Sequence, residues 1–195
     1  MIKIGVTGGI GSGKSVVCDI LRLHGIPVFD ADKEAKKLND TSPFIREQIT
    51  RHFGEALYSN NKLNRRMFAS IIFHDQEKLA VANAIIHPAL ANYFEEWSLQ
   101  RGEQPWVIIE AALLIEAGFH RLVDRVIVVS SRADIRIERV MQRDHATRSE
   151  VEARMRNQLP EEEKIKLADV VIYNDNRLSL IQQVDNFLQT LSLHL

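Results

Sequence analysis

A glycine-rich segment near the start of the chain has the residue types and spacing of a phosphate-binding loop. It reads Gly8-Gly9-Ile10-Gly11-Ser12-Gly13-Lys14-Ser15 and matches the pattern G-x-x-x-x-G-K-[ST]. Glycines let a backbone wrap closely around phosphate oxygens, with its N–H groups pointing inward. In such loops the lysine reaches the β- and γ-phosphates, and the hydroxyl that follows binds Mg²⁺. The segment therefore predicts a site for a nucleoside triphosphate.

The residues on both sides of this loop favour the same interpretation. An apolar run over residues 2–7 predicts a buried strand, and the residues after the loop predict a helix. The apolar positions of that helix lie on one broad side, namely Val16, Val17, Ile20, Leu21 and Leu23. A chance match in a flexible glycine turn is the alternative, and it would not require a strand before the loop and a helix after it.

Acidic residues follow two other predicted strands. Asp30 and Asp32 come directly after an apolar segment, and Glu110 closes another. Ligands of open α/β sheets gather at the carboxyl ends of the strands, where a carboxylate can accept a hydroxyl proton or hold Mg²⁺ through water. Asp32 could instead cap a helix over residues 33–38. Glu110 could simply pair with a nearby basic group.

A series of arginines marks a later helix. Its members stand at steps of four, three and four: Arg132, Arg136, Arg139 and Arg143. Asp134 and Glu138 are not three or four residues from any of them, so the stripe lacks the usual intrahelical partners. A bound anion would compensate the stacked charges, and so would partners elsewhere in the fold. Beside a phosphate loop, the stripe favours a lid that closes on nucleotide and shields it from water.

The elements that must position these residues form an α/β pattern. Besides residues 2–7, four apolar segments predict buried parallel strands: residues 26–29, 107–109, 125–129 and 170–172. The interval between the second and third strands is far longer than one crossover requires. Three helices are predicted there, over residues 43–53, 65–73 and 76–97, with the last broken near Pro88.

This pattern predicts one domain built from three parts. The core comprises residues 1–32, 106–132 and 167–195, with a helical substrate-binding insertion over about 33–105 and a lid over about 133–166. With 195 residues, 45% apolar and 26% charged, the composition is that of an ordinary globular protein. The net charge of −1 argues against a general nucleic-acid binder.

Cysteine content and hydropathy favour the cytoplasm. Cys18 is the only cysteine, so no disulfide can form within the chain, and we expect it to be a small buried side chain of the first helix. The apolar stretch over residues 106–115 is interrupted by Glu110 and is too short to cross a bilayer. The chain runs directly into its first strand, which leaves no room for a signal peptide. No heptad pattern indicates an oligomeric state.

Some polar residues carry weaker signals. His87 precedes Pro88 and is as consistent with a structural role as with ligand binding. Arg65 and Arg66 open a helix, where a cation is unfavourable unless it contacts something else. Asn174-Asp175-Asn176 could form a simple turn or contact a nucleotide base. The seven histidines have no metal-ligand spacing, so no zinc site is predicted.

Over essentially its whole length, the chain resembles the dephospho-coenzyme A kinases, which are P-loop kinases. The resemblance rests on residues 4–15, Asp30-Ala31-Asp32, Leu63-Asn64-Arg65-Arg66, Ile86-His87-Pro88, Leu113-Leu114-Ile115-Glu116, Met141-Gln142-Arg143-Asp144, and Ala168-Asp169 leading to Asn174. It implies a three-layer P-loop NTPase fold and ATP-dependent phosphorylation of the 3′-hydroxyl of dephospho-CoA, the last step of coenzyme A biosynthesis. The partners it implies are ATP and dephospho-CoA, with Mg²⁺.

The resemblance also implies roles for individual residues. Asp32 would be the catalytic base or the group that orients the hydroxyl, while Lys14 and Arg143 would stabilise the transferring phosphoryl group. ATP would be bound by Gly9 to Ser15, Arg139, Arg143 and Asn174, with Arg136 also in the lid. Dephospho-CoA would lie against Asp32, Arg65, His87, Leu113 and Leu114. Ser15 would bind Mg²⁺, with Asp30 or Glu110 contributing through water.

The chain departs from the family pattern at two positions. Glu110 stands where the family more often has Asp, and Ala112 stands where it commonly has Pro. A longer acid could still reach a metal-bound water, and loss of the proline changes loop stiffness more than chemistry.

Other functions remain as alternatives on the residues alone. A different metabolite kinase would share the loop and differ in the insertion. A GTPase-like switch usually carries an Asn-Lys-x-Asp segment, which is absent from the sequence. A scaffold protein that keeps the phosphate loop only as a relic is the last alternative. It would not need a candidate base, a loop lysine and lid arginines in the same chain.

Overall fold

A five-stranded sheet forms the centre of the molecule. The computed structural model describes residues 1–192. The sheet has the strand order β2-β5-β1-β6-β7. Its strands are β1 (Ile2–Thr7), β2 (Val28–Asp30), β5 (Trp106–Glu110), β6 (Arg125–Ser130) and β7 (Val170–Tyr173), and a separate antiparallel hairpin comprises β3 (Tyr58–Ser59) and β4 (Lys62–Leu63).

The central strands are parallel and buried. Ile4 of β1 lies opposite Ile108 of β5, and Val6 lies opposite Ile127 of β6, in parallel register. All four of these side chains are fully buried. Apolar residues without alternation are expected where helices cover both faces of a sheet. The predicted α/β fold with a five-stranded sheet is confirmed, and the short hairpin is an addition that the sequence did not predict.

Residues 1–192 contain nine helices. They are α1 (Lys14–Leu23), α2 (Ala31–Thr41), α3 (Pro43–Phe53), α4 (Arg65–Ile72), α5 (Gln76–Leu99), α6 (Ala133–Asp144), α7 (Arg148–Arg156), α8 (Glu161–Lys166) and α9 (Leu180–Ser192), with short 3₁₀ turns at Glu55–Leu57 and Phe119–Leu122. The region predicted as a lid thus comprises three helices. Within residues 1–192, no helix is both long and apolar enough to span a membrane.

The predicted break of α5 at Pro88 is wrong. The helix continues from Gln76 to Leu99 with the proline inside it. A proline removes one backbone hydrogen bond and crowds the preceding turn. Ile85 and Leu90 are buried on either side of it, and their packing holds the helix together across the proline.

The chain forms two compact units. The large unit comprises residues 1–29 and 101–195, and the small unit comprises residues 30–100. In the large unit, Cys18 and Leu21 of α1 share a core with Ile4 of β1 and Val184 of α9.

The small unit has a core of its own, in which Ile49 of α3, Phe68 of α4 and Ile85 of α5 are buried together. Asp30 and Asp32 belong to this unit, whereas the sequence had assigned them to the core segment 1–32.

Candidate active site

The phosphate loop connects β1 to the N-terminus of α1. Gly13 is the residue before the helix and has a φ of 94°, a conformation that favours glycine. A Cβ atom there would also lie 2.1 Å from Nδ2 of Asn174. The loop is braced internally by a hydrogen bond of 3.0 Å from the Ser12 N–H to the Gly9 carbonyl. Its backbone N–H groups and the positive end of the helix dipole make it suitable for anions.

Lys14 and Ser15 are held by the loop and by the neighbouring strand. Lys14 Nζ donates to the Gly8 carbonyl at 3.1 Å, which keeps the ammonium group against the loop. The Ser15 hydroxyl donates to Oε1 of Glu110 at 3.2 Å. Glu110 reaches this position because it lies at the end of β5, in register with Val6 at the end of β1. The structure therefore brings together two of the predicted metal-binding residues.

The donor set at this point fits Mg²⁺. A hydroxyl and a carboxylate are oxygen ligands of the kind that Mg²⁺ prefers. Among residues 1–192 there is no group of three or more His, Cys, Asp or Glu side chains that could hold a metal ion. Mg²⁺ in phosphate-transfer sites is usually bound by one or two protein oxygens together with waters and substrate phosphates. The Ser15–Glu110 pair meets that smaller requirement.

Cys18 lies one turn further along α1 and also contacts Glu110. Burial raises the pKa of the Cys18 thiol, and the charge of Glu110 together with a hydrogen bond to it raises this pKa further. The thiol therefore stays protonated at neutral pH and is a poor nucleophile. The expectation that Cys18 is a small buried side chain is confirmed.

Asn174 and Arg139 lie together beside the loop. Asn174 follows β7, and its Nδ2 donates to the Ser12 carbonyl at 2.8 Å. Its Oδ1 accepts a hydrogen bond of 3.4 Å from Arg139, which also donates to Asn176 Oδ1 at 3.2 Å. Two residues predicted to bind ATP are thus brought together at the phosphate loop, and the turn after β7 has more than a connecting role.

Arg136 packs directly on the glycine-rich loop. A Cβ atom on Gly9 would lie 1.9 Å from Nη1 of Arg136, so position 9 has no room for a side chain. The guanidinium is nearly buried and pairs with Glu161 at 3.0 Å. Arg136 Nε and Ser12 Oγ are buried without a hydrogen-bond partner among residues 1–192. Buried polar atoms normally have partners, so these two favour a polar ligand at the loop.

The arginine stripe of α6 has more partners than its spacing predicted. Arg132 precedes the helix and pairs with Asp134 at 2.7 Å, only two residues away. Arg143 pairs with Asp144 at 2.7 Å. None of these partners lies three or four residues away along α6, as the spacing predicted, and the alternative of partners elsewhere in the fold is the one observed at Arg136 and Arg139.

Asp144 links two helices of the predicted lid. Besides Arg143 it accepts a hydrogen bond of 2.6 Å from Arg154 of α7. The hydrogen bonds from these two arginines lower the pKa of the Asp144 carboxyl well below its usual range. The bond to Asp144 in turn raises the pKa of Arg143. Arg143 thus lies in a charged cluster at the end of α6 and keeps its positive charge.

In the small unit, Asp30 and Asp32 have different local roles. Asp30 is the N-cap of α2, and its Oδ1 accepts the Lys33 N–H at 2.9 Å. The capping role considered for Asp32 therefore belongs to Asp30, because the helix begins at Ala31 rather than at Lys33. Asp32 lies in the first turn of α2.

Arg65 and His87 occupy the same unit. Arg65 forms an ion pair with Asp40 and donates to the Lys36 carbonyl at 3.0 Å, which supplies the contact that a cation at a helix N-terminus requires. His87 lies within α5, where burial lowers its pKa. It is therefore neutral at physiological pH.

Leu113 and Leu114 differ sharply in exposure. Leu113 is 43% exposed, whereas Leu114 is fully buried. A Cβ atom on Gly5 would lie 2.7 Å from Cδ2 of Leu114, so this side chain packs against β1 within the core. Its burial does not support the predicted contact of Leu114 with a substrate, and Leu113 is the residue of the pair that a ligand can reach.

Comparison with known proteins identifies the family. The family model for dephospho-CoA kinase matches residues 2–179. The chain belongs to the dephospho-CoA kinase family. A dephospho-CoA kinase of Bacteroides fragilis is 40% identical over 183 residues, covering 94% of this chain and 89% of that protein.

Two solved structures agree with this membership. A crystal structure of a Thermus thermophilus protein is 37% identical with a TM-score of 0.86, covering 97% of this chain and 96% of that one. The structure of dephospho-CoA kinase from Campylobacter jejuni is 27% identical with a TM-score of 0.71, covering 98% of both chains.

The structure also shows two contacts that the sequence did not reveal. Gln158 Oε1 accepts a hydrogen bond of 2.8 Å from the N–H of Ile10 in the phosphate loop. Lys164 is fully buried and pairs with Glu116 at 2.8 Å. A glutamine after a charged helix matches no motif, and a lysine among glutamates is typical of an exposed face. Nothing local in the sequence indicates either contact.

Proposed function

We propose that this protein transfers the terminal phosphoryl group of ATP to the 3′-hydroxyl of dephospho-CoA, giving coenzyme A and ADP. The carrying observation is the complete phosphate loop, with Lys14 Nζ held 3.1 Å from the Gly8 carbonyl in a chain that belongs to the dephospho-CoA kinase family over residues 2–179. The reaction is the final step of coenzyme A biosynthesis. A signalling GTPase role has no comparable support.

The large unit provides the residues for ATP. The N–H groups of residues 9–15 and the ammonium of Lys14 bind the phosphates, and Arg143 stabilises the charge of the transferring group. Arg139 and Asn174 contact the nucleotide further from the reacting phosphate. Their mutual hydrogen bond of 3.4 Å and the bond from Asn174 to Ser12 support this assignment, since the first joins α6 to the turn after β7 and the second joins that turn to the loop.

Mg²⁺ is the metal that we assign to this site. Ser15 would hold it, with Glu110 contributing through water, and the 3.2 Å bond between these two side chains supports this assignment. When bound, the ion neutralises charge on the β- and γ-phosphate oxygens. Asp30 is the weaker candidate, because one of its oxygens already caps α2.

Asp32, Arg65 and His87 of the small unit are the residues that we assign to the acceptor. Asp32 accepts the proton of the 3′-hydroxyl, so that the hydroxyl oxygen attacks the terminal phosphorus and ADP leaves. Arg65 and the neutral His87 contact dephospho-CoA, and the exposed Leu113 adds an apolar contact. The ion pair with Asp40 supports this role for Arg65, because it fixes the guanidinium before substrate binds.

The reaction takes place in the cytoplasm, where ATP is available and a single protonated thiol such as Cys18 stays reduced. No nucleic acid or membrane takes part in it. A kinase of another metabolite is the nearest alternative, because the phosphate loop alone does not choose the acceptor.

A coupled assay of ADP release with Mg²⁺-ATP tests the proposal. Dephospho-CoA is compared with AMP, with adenosine and with no acceptor, and the product is identified by mass spectrometry. We expect ADP release only with dephospho-CoA, together with a product of the mass of coenzyme A. Release with another acceptor would keep the kinase and change its substrate. Release with none of them, in protein that binds ATP, would contradict the proposed reaction.

A further inference from the structure

The carboxamide of Gln158 lies against the phosphate loop. Its Oε1 accepts the N–H of Ile10 at 2.8 Å, across 148 positions of sequence. A backbone N–H can only donate, so the oxygen of the carboxamide must face the loop. The other end of the same group is an NH₂ with two donors. Within residues 1–192 this NH₂ has no hydrogen-bond partner.

The backbone beside Gln158 is anchored by a buried ion pair. The N–H of Leu159 donates to Glu116 Oε1 at 3.0 Å, and Glu116 pairs with Lys164 at 2.8 Å. Lys164 is fully buried and also donates to the Ala112 carbonyl at 3.2 Å. Residues 158–164 are therefore tied to the turn that follows β5, and Gln158 is held in place by more than its own contact.

A second anchor joins the same segment to the loop through Arg136. Glu161 pairs with Arg136 at 3.0 Å and accepts the Ser131 N–H at 3.2 Å. Arg136 in turn packs on Gly9. Gly9 and Ile10 are thus contacted by Arg136 and Gln158, and the segment that carries Gln158 is held by further ion pairs and hydrogen bonds. Such preorganisation is what a donor to a transferring group requires.

We propose that Gln158 is a further phosphate-binding residue of this kinase. The Ile10 N–H fixes its oxygen, and its NH₂ group donates to an oxygen of the terminal phosphoryl group of ATP. The inference rests on the proposed function, because it places that group at the loop. A neutral donor adds to the charges of Lys14 and Arg143 without repelling either, and it acts on the triphosphate but not on ADP.

Two substitutions at position 158 distinguish the role of the carboxamide oxygen from that of its NH₂ group. Gln158→Met removes both the acceptor and the donors at similar length, while Gln158→Glu keeps an acceptor for Ile10 and replaces the donors by a charged oxygen. Gln182→Met and Gln182→Glu, on the exposed side of α9, are the matched controls. Each variant is tested for turnover with dephospho-CoA. Calorimetry measures its dissociation constants for ADP and for the β,γ-imido analogue of ATP.

We expect Gln158→Met to lower kcat about tenfold to hundredfold, the scale of losing one preorganised donor. Its affinity for the imido analogue should fall about tenfold, while that for ADP changes less than about twofold. Gln158→Glu should lower kcat further, because its carboxylate faces the phosphate charge. Both Gln182 variants should match the wild type.

Three results would overturn the proposal. Unchanged kcat and unchanged preference for the imido analogue over ADP would remove Gln158 from the site. Tighter binding of the analogue by Gln158→Met would mean that the glutamine oxygen competes with phosphate for the Ile10 N–H. Equal weakening of both nucleotides would show that it only supports the loop. These binding measurements need no acceptor, so they decide the role of Gln158 even if wild-type protein fails to phosphorylate dephospho-CoA.

Discussion

The Ser15 hydroxyl donates a hydrogen bond to Oε1 of Glu110 across 3.2 Å, and this bond joins the first turn of α1 to the carboxyl end of β5. The two residues are 95 positions apart in sequence, and the parallel pairing of β1 with β5 brings them together. A hydroxyl and a carboxylate in contact supply part of an oxygen-ligand set, which substrate phosphates and water can complete. The pair therefore predicts how the enzyme depends on Mg²⁺.

Glu110→Gln should raise the Mg²⁺ concentration for half-maximal activity about tenfold, the effect expected of losing an outer-shell carboxylate. Gln can still accept the Ser15 hydrogen bond, so the fold should persist, but it lacks the charge that attracts the ion. The measurement is a Mg²⁺ titration of ADP release at saturating ATP. Glu103→Gln, an exposed acid in a turn, is the control. An unchanged Mg²⁺ requirement would exclude Glu110 from the metal site.

Local patterns in the sequence predicted the parts of this site that depend on neighbouring residues. The loop around Gly13 and the buried strands depend on short-range features, so their patterns can be recognised directly. The residues alone left Asn174 either in a simple turn or in contact with a nucleotide base, and the resemblance to the family favoured the nucleotide. The structure shows that the Asn174 side chain donates a hydrogen bond of 2.8 Å to the carbonyl of Ser12, which lies 162 positions away.

The sequence could not predict features that depend on partners distant along the chain. Lys164 has glutamates on its N-terminal side and an exposed pattern around it, yet its ammonium is buried on Glu116. Gln158 lies beside Leu159, whose backbone N–H is bonded to the Glu116 of that ion pair. Similarly, α5 continues through Pro88 because tertiary packing outweighs a local helix-breaking signal. In each case the conformation depends on contacts with residues that are distant in sequence, so a short segment does not predict it.

Asn174→Ala should raise the KM for ATP about tenfold, because it removes a donor to the loop and an acceptor for a charged arginine. The substitution leaves the Ser12 carbonyl and the Arg139 guanidinium without these contacts. Initial rates over a range of ATP concentrations measure the effect. Asn157→Ala, at the exposed end of α7, should behave like the wild type. A normal KM for ATP in Asn174→Ala would contradict the role assigned to this residue.

Lys164→Met should lower the free energy of unfolding by about 3–5 kcal/mol, because it leaves the carboxylate of Glu116 without its buried partner. Urea denaturation of the two proteins measures the difference. The double variant Lys164→Met/Glu116→Gln should recover part of the loss, since no uncompensated charge remains. Lys166→Met, whose ammonium pairs with Glu163 on an exposed surface, should change the free energy of unfolding far less than Lys164→Met. If Lys164→Met and Lys166→Met lowered the free energy of unfolding equally, the buried ion pair would contribute no more to stability than the exposed one.

Arg143→Ala should lower kcat at least about a hundredfold while changing the dissociation constant for ATP only slightly, because the guanidinium acts on the charge of the transferring group. Single-turnover rates and nucleotide titrations separate the two effects. Arg148→Ala is the control, since Arg148 is an exposed arginine paired with Glu152 at 2.9 Å. If Arg143→Ala loses its helical circular dichroism, or if it keeps normal turnover, Arg143 has no catalytic role.

Asp32→Asn should leave ATP binding nearly intact while lowering turnover at least about a hundredfold, the scale expected of a general base. The amide keeps the size of the side chain but cannot take the proton of the 3′-hydroxyl.

Asp30→Ala is the matched variant, because Asp30 caps α2 through a bond of 2.9 Å to the Lys33 N–H. It should lower stability by about 1 kcal/mol, the cost of a lost N-cap, with a smaller effect on turnover. Thermal unfolding and ADP release are measured for both variants. If Asp30→Ala shows the large loss of turnover and Asp32→Asn stays active, Asp32 is not the catalytic carboxylate. Activity would then depend on the N-cap of α2 that Asp30 provides.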